Sequence, residues 1–223
     1  MTRALLLVGS PRGRRSSSTS VGSYLLNLVQ ERGLETETLW IREQLTNDER
    51  TSQMLDAISG ADIVILTAPL YDDCQPYLVT RTMELIADQE DMAGRRFIPI
   101  INCGFPEAEH ITAVAIPIYR KFASMVEFEW VGSLAIGGGE MLQGVQGKQL
   151  DEIGSVANGL KRTLGEIAEA LVSGTSYSDE SIIAYPRFFL NPIMTKIMVW
   201  INNRSWKSQA EKNGGVVDAK PYA

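Results

Sequence analysis

One histidine and two cysteines in 223 residues leave this chain few ways to build a metal centre or a disulfide framework. His110 alone excludes a multi-histidine site. Cys74 and Cys103 have neither the C-x-x-C spacing of a zinc site nor the close cysteine motif of an iron–sulfur cluster. No metal is therefore expected. So few cysteines also fit a reducing compartment, and a cytoplasmic location is expected. No run of about 18 apolar residues is present, so no spanning helix is expected. The N-terminal apolar run is too short for a signal peptide and is followed by arginines rather than a cleavage site. A net charge of −6 and a pI near 5.0 argue against a general nucleic-acid partner.

What is present is an ordinary globular composition, 44 % hydrophobic and 22 % charged, in a chain long enough for a sizeable core. Short apolar runs alternate with helical patterns over about 170 residues. Ala4–Val8 and Ile63–Leu66 read as buried strands, Phe97–Ile101 as a third apolar strand, Phe128–Ile136 as the last strand, and Glu35–Ile41 as a strand nearer the sheet edge. Helical spacing follows Val21 to Val29, a stretch from about 50 to 59, a segment opened by Pro76 and part of 108–125. Pro117 obscures the start of that last segment or kinks it. Ile153 to Leu171 marks the longest amphipathic helix. Five alternations predict an α/β protein with a parallel sheet covered by helices on both faces. Ligands then bind beyond the carboxyl ends of the strands.

Three loops fall on that rim. GSPRGRRSSSTS runs into a helix start, where unpaired N–H groups and the dipole favour an anion. Ser10, Ser16, Ser17, Ser18 and Thr19 add hydroxyls and Arg12 a guanidinium fork. Neither the Walker ending G-K-[ST] nor G-x-G-x-x-G is present, which favours a single phosphomonoester over a dinucleotide. APLYDDCQP joins a strand end to an aromatic residue and a helix-opening proline, an arrangement that suits a flat heterocycle. NCGFPE places a glycine, an aromatic residue and a carboxylate after the next strand. Taken singly, each loop has a plainer explanation: a capping serine, proline punctuation, a glycine turn. Their coincidence on one rim favours a ligand.

These segments, GSPRGRRSSSTS, ADIVILTAPLYDD and NCGFPE, resemble the flavin-binding loops of the NAD(P)H-dependent FMN reductase group of the flavodoxin-like superfamily, over residues 1 to about 172. The resemblance implies a flavodoxin-like three-layer sandwich with a five-stranded sheet in the order 2-1-3-4-5. It also implies bound FMN, NAD(P)H as co-substrate and a homodimer that completes the flavin site. Carried over by position, Ser10, Arg12, Ser17, Ser18 and Thr19 hold the phosphate, with Ser16 beside them. Pro69, Leu70, Tyr71 and Asp72 border the ring, and Asn102, Gly104 and Phe105 close its other edge, with Glu107 nearby. Many relatives carry an asparagine in the phosphate loop where this chain has only serines and a threonine. No catalytic side chain is assigned, since the redox chemistry belongs to the cofactor. Arg14 and Arg15 read as solvated loop residues, with steering of nucleotide phosphates as the alternative. Cys74 and Glu140 read as an ordinary thiol and an exposed acid.

The expected organisation is a flavin domain over residues 1–172 and a C-terminal helical extension with a mobile tail over 173–223. RFFLNPIMTKIMVWINN is apolar on nearly all sides and needs cover, from its own domain, from a second subunit or, less favoured, from a membrane surface. Three functions stay open: an oxidoreductase passing a hydride from NAD(P)H through FMN to a quinone, free flavin or other small acceptor; an FMN electron carrier without nicotinamide turnover; and a non-redox protein that binds a phosphorylated ligand.

Overall fold

The computed structural model describes residues 1–104, 108, 111–142, 147–177, 182–184 and 192–216. Strand and helix alternate as β1 (Arg3–Val8), α1 (Ser17–Glu31), β2 (Glu35–Trp40), a short α2 (Ile41–Gln44), α3 (Asp48–Ser59), β3 (Ile63–Pro69), α4 (Tyr77–Ala87), β4 (Arg96–Asn102) and α5 (Ile116–Met125). A fifth strand follows in two pieces, β5 (Glu129–Trp130) and β6 (Leu134–Ile136), both parallel to β4. α6 (Asn158–Ser173) and β7 (Ile182–Ala184) come next. The sheet order is β2-β1-β3-β4 and then the fifth strand, which is the flavodoxin-like order 2-1-3-4-5, and every strand pairing is parallel.

The central strands β1, β3 and β4 are largely apolar because both faces are covered. Along β1, Leu5 and Leu7 join the core formed with Met54 and Ile58 of α3, Val79 and Ile86 of α4, and Tyr119 and Phe122 of α5. Ala4, Leu6 and Val8 join the opposite core, with Val21, Leu25 and Val29 of α1 and Leu160, Leu164 and Ile167 of α6. The strand period of two thus sends alternate residues into different cores. β2 is the edge strand, and its residues are exposed or half-buried, as its alternating pattern predicts.

Three features add detail to the expected outline. Pro117 stands in the first turn of α5, directly after a turn of π-helix, Ile111–Ala115, so the irregular start of the segment falls at the proline. β7 adds a strand beyond the five, pairing Ile182–Ala184 with Leu134–Ile136. The compact unit therefore continues past residue 172 to Pro186, helped by the Tyr177 N–H donating to Val131 O at 2.8 Å. The amphipathic helix expected from Ile153 to Leu171 is α6, led in by a 3-10 segment Leu150–Ala157, and the longer α7 (Pro192–Lys212) lies in a second unit, Arg187–Ala223. On α7, Ile193, Ile197, Trp200 and Trp206 are exposed. Among the described residues no helix is long and apolar enough to cross a membrane.

Gly9 shows how tightly the sheet packs where β1 ends. A Cβ there would lie 2.3 Å from Val79 Cγ2 on α4, a stiff β-branched neighbour that cannot swing aside. Gly9→Ala is expected to destabilise the fold by about 1–3 kcal/mol. Adding Val79→Ala should recover part of that loss in denaturant unfolding. Additive losses would show that the contact is not the cause.

Candidate functional site

The carboxyl ends of β1, β3 and β4 open into one cavity of about 580 Å³, within the size range of small-molecule sites. The first wall is the loop from Gly9 to Ser16. Gly13 N–H donates to Ser10 O at 2.9 Å, closing a turn in which Gly13 takes φ +62°, a conformation that favours glycine. Ser16 then caps α1, its side chain accepting from Thr19 N–H at 3.1 Å. Helix geometry leaves the N–H groups of the first turn without intrahelical partners at the cavity wall. Ser10, Arg12, Ser16, Ser17 and Ser18 all line this wall.

The second wall follows β3. Pro69, Leu70 and Tyr71 give it an apolar and aromatic surface, and Asp72 and Asp73 give it charge. Tyr71 and Cys74 exchange backbone hydrogen bonds at 2.9 and 3.2 Å, and Asp72 sits in this tight turn at φ +48°. Tyr71 keeps 45 % of its surface exposed, so its ring is available to a ligand. Behind the turn Tyr119 is fully buried, and burial, with a smaller effect from Cys74, raises its phenol above the ordinary range and keeps it neutral.

The third wall joins two strand ends. Cys103 N–H donates to Ile136 O at 2.9 Å, and Gly139 N–H to Cys103 O at 2.7 Å, so the segments after β4 and β6 are bonded to each other. Ser17 Oγ donates to Gly139 O at 2.7 Å and ties them to α1. Asn102 is buried, and its Nδ2 donates to Ser18 Oγ at 3.4 Å.

Of the expected site residues that the structure describes, all but Thr19 line this cavity. Thr19 Oγ1 turns into the loop instead, donating to Gly13 O at 2.9 Å and accepting from Trp40 Nε1 at 3.3 Å. Phe105, Glu107 and His110 lie outside the described residues. Gly9, at the head of the same loop, answers to helix packing against Val79. Asp73, Cys103, Gly139 and Glu140 line the cavity without having been singled out as cavity-lining residues. Glu140 comes closest to Arg12, 3.8 Å from carboxylate to guanidinium. The only signal for it in the sequence was GGGEML following a rim strand, which fixes no direction for the side chain.

Solved structures show the same fold. An NADH:FMN oxidoreductase in its apo form matches with TM-score 0.59 and 16 % identity, over 80 % of this chain and 92 % of that one. The FMN-dependent NADH-azoreductase of Bacillus anthracis, solved with FMN, gives 0.57 and 14 %, over 77 % and 100 %. The flavodoxin of Streptococcus pneumoniae TIGR4 gives 0.54 and 15 %, over 78 % and 100 %. At such identities the likeness is one of fold. No protein-family model and no curated protein matches the chain.

Thr19→Val is expected to lower the unfolding free energy by about 1–2 kcal/mol, because the Gly13 carbonyl and the Trp40 indole lose a buried partner. Urea titration checks it. An unchanged midpoint would mean that the hydroxyl does not hold the loop.

Proposed function

We propose that this chain is an FMN-dependent oxidoreductase that uses NAD(P)H and passes electrons to a small acceptor such as a quinone or free flavin. The observation that carries the reading is the convergence of an anion cradle and a ring-sized apolar wall on one cavity. The donor set suits a phosphomonoester: helix-start N–H groups, the Ser10 hydroxyl and the Arg12 guanidinium, with the Ser17 and Ser18 hydroxyls joining only if they turn from Gly139 and Asn102. Pro69, Leu70 and Tyr71 would border the flat ring system and exclude water from one side, and the Asn102 amide can hydrogen-bond its edge. When bound, FMN supplies the two-electron chemistry that no side chain here provides.

The chain's own work is then binding, orientation and electrostatics. Arg12 supplies positive charge at the anion end, and Asp72, Asp73 and Glu140 put negative charge elsewhere around the mouth. Glu140 competes with a ligand phosphate for Arg12, so the pair opposes anion entry by a small amount. The names of the structural neighbours support an FMN oxidoreductase, and those that are flavodoxins keep the carrier reading as its rival. A homodimer belongs to the proposal. An apolar groove of about 510 Å³ between α4 and α5, lined by Met83, Ala87, Pro117, Ile118, Phe122 and Met125, supports it.

Purified protein is expected to quench FMN fluorescence at micromolar concentration and to oxidise NADH or NADPH when a quinone is added. No FMN binding would sink both flavin readings, whereas binding without nicotinamide oxidation would favour the carrier. Arg12→Ala should weaken FMN more than riboflavin, and Glu140→Gln should tighten FMN about threefold. Equal effects on both flavins would mean that neither side chain addresses the phosphate. Light scattering should give the mass of a dimer, and Met125→Glu should lower it to that of a monomer. A wild-type monomer would reject the assembly.

A further inference from the structure

Arg14 stands in the middle of the anion loop, yet it does not line the cavity, whereas Arg12 does. Its guanidinium lies over the Trp40 ring, 3.7 Å from the centroid. The edge of the same group engages Glu43 through two parallel bonds, Nε to Oε1 and Nη2 to Oε2, both 3.0 Å. Its face and that edge are therefore occupied by the corner between β2 and α2. The corner holds the loop at two more points. Arg42 Nη1 donates to Pro11 O at 3.0 Å, and Trp40 Nε1 reaches Thr19 Oγ1, which in turn donates to Gly13 O.

Among the described residues, the loop's own bonds are few: Gly13 N–H to Ser10 O, a long Arg12 N–H to Ser10 Oγ at 3.4 Å, and the capping Ser16, whose Oγ donates to Gly13 O. An anion site gains affinity when its donors are already in place, because the ligand then does not have to order them. We propose that Arg14, Trp40 and Glu43 are positioning residues that hold residues 10–16 in the anion-binding conformation, so that Arg14 acts on the ligand's phosphate only through the loop. This rests on the reading that the cavity takes a flavin phosphate, and it adds a division of labour between two neighbouring arginines: Arg12 faces the anion and Arg14 holds the frame.

A direct phosphate ligand and a positioning residue respond oppositely to removal of Glu43. Without Glu43 the Arg14 fork is released, so a ligand role predicts tighter FMN binding. A positioning role predicts weaker binding, as for removal of Arg14 itself. Arg14→Ala and Glu43→Ala are each expected to weaken FMN about tenfold, the order expected when a bidentate ion pair and the cation–π stacking beside it are disrupted together. Riboflavin, which lacks the phosphate, should change less than twofold. Trp40→Phe, which keeps a ring under the guanidinium, should retain more FMN affinity than Trp40→Ala.

Hydrogen exchange of the ligand-free protein gives the second readout. Amides in residues 10–16 should exchange about tenfold faster in both alanine variants, with the α6 amides unchanged. Tighter FMN binding by Glu43→Ala overturns the proposal, and so does equal weakening of both flavins. Unchanged loop exchange overturns it as well, as does faster exchange with unaltered FMN affinity. If the wild-type protein binds neither flavin, the functional reading fails, and loop exchange alone decides whether these residues hold the loop.

Discussion

β1 lies between β2 and β3 with Ala4–Val8 shielded from solvent on both faces, and that burial decides where polar chemistry can stand. A parallel strand with helices above and below offers no side chain to solvent along its length. Polar groups are confined to the ends, and parallel pairing brings the carboxyl ends of β1, β3, β4 and β6 to the same side. Gly9, Pro69 and Asn102 follow from this, each standing where a buried strand gives way to loop or to the cavity wall. The close approach of Val79 to Gly9 sets α4 against the end of β1 and so fixes how far the second wall stands from the first.

The cavity is a place of mixed charge in an acidic protein. Arg12 is the cation lining it, against Asp72, Asp73 and Glu140. An arginine half in solvent attracts an anion weakly by itself. The helix start adds fixed dipoles that cost no reorganisation, and the serine hydroxyls rotate to suit. Affinity for an anion here depends more on the shape of residues 10–16 than on net charge. That is why contacts outside the cavity, on the β2–α2 corner, bear on the site.

Most strands and the rim were legible because burial on both faces leaves an apolar run, whereas the strand order followed only from the resemblance of the three loops. The loops were legible as places but not as directions. Serine and threonine in SSSTS have similar chemistry, yet Ser17 and Ser18 line the cavity while Thr19 turns inward toward Gly13 and Trp40. That direction is shared between local partners, Gly13 O and Ser16 Oγ, and Trp40, twenty-one positions away in sequence and adjacent only after β2 pairs with β1. Arg14 was opaque for the same reason, since its partners Trp40 and Glu43 become neighbours through sheet pairing. β7 is three residues long and carries too short a pattern to stand out from a loop.

The two neighbouring arginines make a wider point about reading such loops. Arg12 and Arg14 are chemically identical, and both follow a strand end in a basic, serine-rich run. Their surroundings differ in one respect: Arg14 has an aromatic face and a carboxylate within reach, and among the described residues Arg12 has the more distant Glu140. A guanidinium already stacked and bidentately paired must break both interactions to bind a new anion, whereas one with a weak partner gives up little. Occupancy by the fold, more than position in the motif, therefore separates a ligand-binding arginine from a structural one.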